Sequence, residues 1–178
     1  MWKQRDLDTW DESVFRLIGT RWMLITAGNP QHFNTMTASW GGFGILWNKP
    51  VATVYVRPTR FTDSFVKRYE GFTLSFFDEK YREALNICGR LSGRDVDKVS
   101  VSGLSSVKLK DGRMAFAEAS LVLSCRKLYG DVIKPANILD RTIEKHYPRK
   151  DYHCMYIGEI TAFLENTSAL RSSVDPHA

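Results

Sequence analysis

What most constrains this chain is the number and spacing of its extended segments. Val14 to Ala27 is rich in β-branched and aromatic residues and closes on Gly28-Asn29-Pro30, which reads as one or two strands running into a turn. His32 to Trp40 is a further extended segment. Val51 to Val56 and Gly71 to Phe77 are short apolar runs suited to buried strands, and Phe116 to Leu128 and Tyr152 to Leu164 read as long strands. Three helices interrupt them. One starts near Thr59 and groups Phe61, Phe65, Val66 and Tyr69 on one face. The second runs from Asp78, its expected N-cap, to Cys88, with Tyr81, Ala84, Leu85 and Cys88 as its apolar stripe. The third, Asn137 to His146, would turn Ile138, Leu139 and Ile143 inward. Six or more strands with helices that do not alternate regularly argue against a doubly wound parallel sheet. They predict a mainly β fold, a closed or partly closed antiparallel barrel with a few short helices.

The 178 residues suit one domain spanning 1–178, since a chain of this size buries roughly 70% of its unfolded surface. No apolar run approaches the roughly 20 residues of a membrane span, and the charged start Met1 to Asp6 lacks the pattern of a signal peptide. A cytoplasmic protein with no membrane partner is expected. Cys88, Cys125 and Cys154 are widely spaced with no Cys-x-x-Cys pair, which predicts reduced thiols rather than a disulfide framework or zinc site. His32, His146 and His177 show no ligand spacing, so no metal is expected. The net charge of +5 comes from Lys and Arg scattered among acidic residues, a poor footprint for nucleic acid. Gly42-Phe43-Gly44 lacks the later glycine and opening helix of a dinucleotide fingerprint.

Three segments offer chemistry. The turn Arg57-Pro58-Thr59-Arg60-Phe61-Thr62 leads into a helix and brings two guanidinium groups to unsatisfied backbone N–H groups, an arrangement that favours a phosphate. It is equally readable as a capped helix with two solvated arginines. Along Asn34 to Trp40 the side chains of Thr35, Thr37 and Ser39 share one strand face, and Asn34, Met36, Ala38 and Trp40 share the other. A row of small hydroxyls leaves room for a flat heterocycle, and it also suits a plain edge strand. The third segment, Asn86 to Lys98, holds Gly89 at a helix end and Ser92-Gly93 in a tight turn where backbone can approach a ligand. Locally it is no more than a helix-terminating loop.

Four stretches, in this order, carry a resemblance: FNTMTASWGGFGILWNKPVATVYVRPTRFT, FTLSFFDEKYREALNICGRLSGRDVDK, LYGDVIKPANILD and HCMYIGEI. They resemble the flavin reductase-like family of FMN-binding split β-barrel proteins, in particular its flavoredoxin branch. The likeness implies a Greek-key antiparallel barrel that forms a homodimer with FMN near the interface. It implies that Thr37, Ser39 and Trp40 line the flavin ring, with backbone from Met36 and Val56 nearby. Arg57, Arg60 and Thr62 would meet the phosphate end, and Cys88, Gly89, Ser92, Gly93 and Lys98 would close the site.

Relatives that use a nicotinamide cofactor often carry Gly-Asp-His before the closing strand, where this chain has Asp151-Tyr152-His153. The retained His153 is a candidate catalytic residue, to position a nicotinamide or move a proton, or a structural histidine at a strand end. The expected function is an FMN oxidoreductase that takes electrons from NADH or NADPH and passes them to a flavin or other acceptor, with the flavin carrying the redox step. The alternative is an FMN electron carrier reduced by a protein partner, motivated by the altered residues before His153.

Overall fold

The computed structural model describes residues 2–167; His177 lies outside the described residues. Ten strands form. They are β1 Trp2–Gln4, β2 Met23–Asn29, β3 His32–Ala38, β4 Gly41–Leu46, β5 Lys49–Val56, β6 Gly71–Phe76, β7 Ser106–Lys108, β8 Met114–Phe116, β9 Leu121–Val132 and β10 Cys154–Asn166. The helices are α1 Val14–Arg16, α2 Phe61–Arg68, α3 Arg82–Arg90 and α4 Lys98–Ser102, with short 3₁₀ and π turns between elements. Eight strands make one antiparallel sheet in the order β3-β2-β6-β9-β10-β5-β4, with β1 added to the far end of β10, while β7 and β8 form a separate hairpin.

That order forces the sheet to roll up. β3 and β4 stand at opposite ends of the list, yet only Ser39 and Trp40 separate them in the chain. Laid flat, seven strands at about 4.8 Å spacing would put the end strands about 29 Å apart. Three Cα steps reach at most about 11 Å. The ends must therefore come together, and Gly41 marks the seam: a Cβ built there would lie 2.8 Å from the Thr53 carbonyl and 3.2 Å from the Met23 methyl of β2. The result is the expected antiparallel split barrel.

Period-two alternation sorts the side chains into two cores. Met23, Ile25 and Ala27 of β2, Phe72, Leu74 and Phe76 of β6, and Leu121, Leu123 and Cys125 of β9 fill the barrel with Ala52, Val54 and Val56 of β5. Leu24 and Val122, on the other face, pack in a second core with Ala84, Leu85 and Cys88 of α3 and with Phe116. A helix and a hairpin thus cover a sheet face that would otherwise expose apolar residues. Among the described residues, no helix is long and apolar enough to cross a membrane.

Several sequence expectations need correction. Val14 to Arg21 is helical, because Ser13 accepts a bond from the Arg16 N–H and so caps α1; only Met23 onward is strand. β4 carries no strand signal in the sequence, since three glycines in six residues lower its strand propensity. Asp78 makes no side-chain cap; it precedes a 3₁₀ turn at Glu79–Tyr81, and α3 begins at Arg82. The third helix is two 3₁₀ segments, Pro135–Asn137 and Arg141–His146, and it does not point its apolar residues inward: Leu139 is 95% exposed and Ile143 is exposed.

The seam yields a paired prediction. Gly41→Ala pushes a methyl against backbone and should cost about 1–3 kcal/mol, the usual range for overpacking. Gly42→Ala meets nothing within 4 Å and should fall within about 0.5 kcal/mol of the parent. Urea unfolding of both variants checks this, and equal stabilities would mean the seam is not tightly closed.

Candidate functional site

Because β3 leaves its ladder at Ala38 and β4 joins its own at Gly41, Ser39 and Trp40 lie outside both ladders. They form the rim of a cleft at the barrel seam. A cavity of about 240 Å³ there is lined by Met36, Thr37, Ala38, Ser39 and Trp40 along the chain, and by Tyr55, Arg57, Arg60 and His153 across from them. It shares Ser39, Trp40 and Tyr55 with a larger, mostly apolar cavity of about 750 Å³ that extends over Phe15, Phe43 and Tyr147. Trp40 is 43% exposed between the two. Together they reach the size range of small-molecule sites.

Seven predicted residues therefore meet in one place: Met36, Thr37, Ser39, Trp40, Arg57, Arg60 and His153. The other seven do not line this cavity. Gly93 and Lys98 line a different cavity, of about 570 Å³, nearer the start of β3. The side chains of Val56, Thr62 and Cys88 are fully buried. Thr62 accepts a 2.8 Å bond from the Asn34 amide, and Gly89 sits against Thr37, where a Cβ would come to 3.3 Å. Ser92 accepts from the Arg94 N–H within its own turn. Gly93 presses on β3 so closely that a Cβ would meet Asn34 Oδ1 at 2.0 Å.

The row of hydroxyls is less free than its spacing suggests. Thr35 Oγ1 lies 2.9 Å from Thr26 Oγ1, and the Thr37 hydroxyl donates to the Leu85 carbonyl of α3. Ser39 has no such bond to another element, which leaves it the hydroxyl best placed to serve a ligand.

Lys98 is a buried tie rather than a surface cation. Its Nζ donates to the carbonyls of Thr35, at 2.9 Å, and Cys88, at 3.0 Å, joining β3 to α3. Burial lowers its pKa to about 8, with the nearby Arg60 acting in the same direction.

Arg57 and Arg60 also have protein partners. Arg57 pairs with Asp151 at 2.8 Å and donates to the His146 carbonyl at 2.7 Å, so it braces the segment between β9 and β10. Arg60 donates to the Gly89 carbonyl at 2.6 Å. It occupies the N-cap position of α2 without capping it, and no other side chain does so. Of the first N–H groups of that helix, that of Asp63 bonds the Arg60 carbonyl at 3.0 Å, and no side chain caps those of Phe61 and Thr62, which suits an anion.

His153 stands at the start of β10, buried, with its ring 5.0 Å from that of Trp40. Its Nδ1 lies 3.0 Å from the Tyr147 hydroxyl. Burial first, and then the Arg57 charge, push its pKa down to about 4, against a smaller opposing pull from Asp151. The ring is neutral at physiological pH. Asp151 is held below the usual carboxylate range, because bonds from Arg57 outweigh the effect of burial.

Sequence reasoning missed Tyr55, Tyr147 and Asp151 as members of this site. Tyr55 was within reach, since it lies on β5 two residues before Arg57 and so points to the same side at period two. Tyr147 carried no signal, because a non-repetitive segment returns it to the cleft. Among the described residues, no group of three or more His, Cys, Asp or Glu side chains could hold a metal ion.

Comparison with known proteins converges on one group. Residues 15–174 match the model of the flavin reductase like domain. No curated protein matches the chain. A flavoredoxin from Methanosarcina acetivorans superposes with a TM-score of 0.64 at 20% identity, over 83% of this chain and 69% of its own. An FMN-binding domain of a flavin reductase-like enzyme from Shewanella baltica gives 0.69 at 17% identity, over 94% and 78%. The NADH:FAD oxidoreductase of Streptomyces globisporus gives 0.62 at 16%, over 85% and 80%. At these identities the structures establish a shared fold.

The depressed His153 pKa has a measurable consequence. Between pH 6.5 and about 4 the unfolded chain takes up a proton that the folded ring refuses, so stability falls as pH falls through that window. His153→Gln should remove roughly 2–3 kcal/mol of the loss seen between pH 7 and pH 4. Denaturant titrations at both pH values test it, and identical acid sensitivity in the two proteins would show that the ring titrates normally.

Proposed function

The chain belongs to the flavin reductase-like family, and on that footing we propose that it is an FMN-binding oxidoreductase with its flavin ring against Ser39 and Trp40. The observation that carries this reading is what meets at the seam: a half-exposed indole, an unengaged hydroxyl, two guanidinium groups and the uncapped start of α2. Trp40 offers a flat apolar wall to an isoalloxazine. Ser39 and the backbone beside it supply hydrogen bonds to the ring's polar edge. Arg60 and the first N–H groups of α2 receive the phosphate, with Arg57 adding positive charge from a fixed position.

FMN, when bound, supplies the electron transfer. The protein's own residues orient the ring, neutralise the phosphate and exclude water, which is why the site needs no nucleophile or acid–base triad. We assign NADH or NADPH as the electron donor and a second flavin or another small molecule as the acceptor. The Streptomyces globisporus protein of the same fold, an NADH:FAD oxidoreductase, supports that assignment. The exposed apolar side chains Phe15, at 92%, Ile45 and Trp47 support a homodimer.

The purified protein should be yellow, release FMN on denaturation and bleach anaerobically with NADH or NADPH. A colourless protein that ignores added FMN would defeat the reading. Flavin that stays oxidised with both nucleotides would point instead to a protein reductant. Arg60→Ala should weaken FMN binding by about 1.5–3 kcal/mol, roughly 10- to 150-fold, the typical loss of a charge-assisted contact. Fluorescence titration measures it, and unchanged affinity in the folded variant would place the phosphate elsewhere.

A further inference from the structure

Tyr147 sits where a side chain with no direct ligand role can still decide what the site presents. It is buried, follows the 3₁₀ segment Arg141–His146, and packs its ring 4.6 Å from that of Tyr152 and 5.5 Å from that of His153. The Arg57 guanidinium lies 5.2 Å from its ring centre. Its hydroxyl is 3.0 Å from His153 Nδ1.

One direction is favoured at the contact between Tyr147 and His153. A phenol O–H is a stronger donor than an imidazole N–H, and a bare imidazole nitrogen is a stronger acceptor than a phenol oxygen, so the Tyr147 hydroxyl donates to Nδ1. A neutral imidazole that accepts at Nδ1 carries its proton on Nε2. Nε2 is not a buried atom left without a partner, and His153 lines the cleft, so Nε2–H is reachable from that side.

We infer that Tyr147 is a positioning residue that locks His153 as its neutral Nε2–H tautomer, so that the cleft is offered a fixed hydrogen-bond donor for a carbonyl oxygen or ring nitrogen of a bound heterocycle. What meets that donor rests on the reading of the cleft as a flavin site; the tautomer does not. The charged and titratable groups around the ring are consistent with this state. Arg57 and Arg60 both oppose a second proton, while Asp151 alone favours one and is already paired with Arg57. His146, Tyr55 and Tyr152 complete the surroundings. His153 thus acts on its ligand by donating a hydrogen bond, and proton transfer through it is not required.

Long-range ¹H–¹⁵N NMR on ¹⁵N-histidine-labelled protein reads the tautomer directly. Flavin-free protein should show His153 with Nε2 protonated and Nδ1 bare from pH 8 down to about 5. Protonated Nδ1, or imidazolium at pH 7, would overturn the inference. Tyr147→Phe keeps the ring packing and removes only the hydroxyl. It should yield mixed tautomers and raise the titration midpoint by about one unit, since the lost bond favoured the neutral form. A folded variant with unchanged tautomer and midpoint would mean Tyr147 is merely structural. Adding FMN should shift the Nε2 resonance. If FMN binds and Nε2 does not move, the donor faces no flavin atom and that part of the inference fails. If FMN does not bind, the cleft reading fails while the tautomer result stands on the flavin-free spectra.

Discussion

Everything at the site follows from a connection too short for a flat sheet. Ser39 and Trp40 must carry the chain from one end of the strand order to the other. Closing the barrel leaves both residues outside the ladders, with backbone and side chains unclaimed by the sheet. Elsewhere the hydrogen-bonding groups of a barrel strand belong to its neighbours. At the seam they are free to serve something else. Gly41 is part of the same constraint, since it passes so close to Thr53 and Met23 that a side chain there would force its neighbours to shift.

The second organising interaction is the grip of Arg57 on the segment between β9 and β10. That segment has little regular structure, and its apolar residues Leu139 and Ile143 are not buried. It is held at its far end by the pair Arg57–Asp151, by the Arg57 bond to the His146 carbonyl and by the packing of Tyr147 against Tyr152 and His153. Residue types suggested a guanidinium turned toward phosphate. The folded chain gives it a structural task as well. A partly buried ion pair of this kind gains little net stability, but it fixes where its partners stand. Here it fixes the residues that surround His153.

The barrel was legible because its signals are local and repeated. Runs such as Val51 to Val56 and Gly71 to Phe77 carry the alternation of strands buried on one face or both, and α2 and α3 carry a clear apolar stripe. The errors fall where local signals conflict. Val14 to Arg21 has strand-like composition, but the Ser13 cap turns it helical. In β4 the glycines mask a strand that neighbouring β5 imposes by pairing. For the site, the clustering of Met36 to Trp40 with Arg57, Arg60 and His153 depends on long-range closure. No spacing rule predicts it, and the resemblance supplied it. The separation of Lys98 and Gly93 into another cavity, and the use of Thr35 and Thr37 hydroxyls inside the protein, depend on packing that the sequence does not display.

The electrostatics of the cleft explain why a neutral histidine fits there. Two arginines line it, and each has one or more nitrogens fixed on a carbonyl or carboxylate. Fixed cations in a partly desolvated site attract an anionic group without reorganising, and the same field makes a third positive charge costly. Protonating His153 would place that third charge beside Arg57 and Arg60, on a ring packed between those of Trp40 and Tyr147. The ring can remain there only as a neutral group, and a neutral ring contributes through its hydrogen bonds. A site with charge at one end and a neutral donor at the other suits a ligand that is anionic at one end and a polar heterocycle at the other, which is the shape of a flavin mononucleotide.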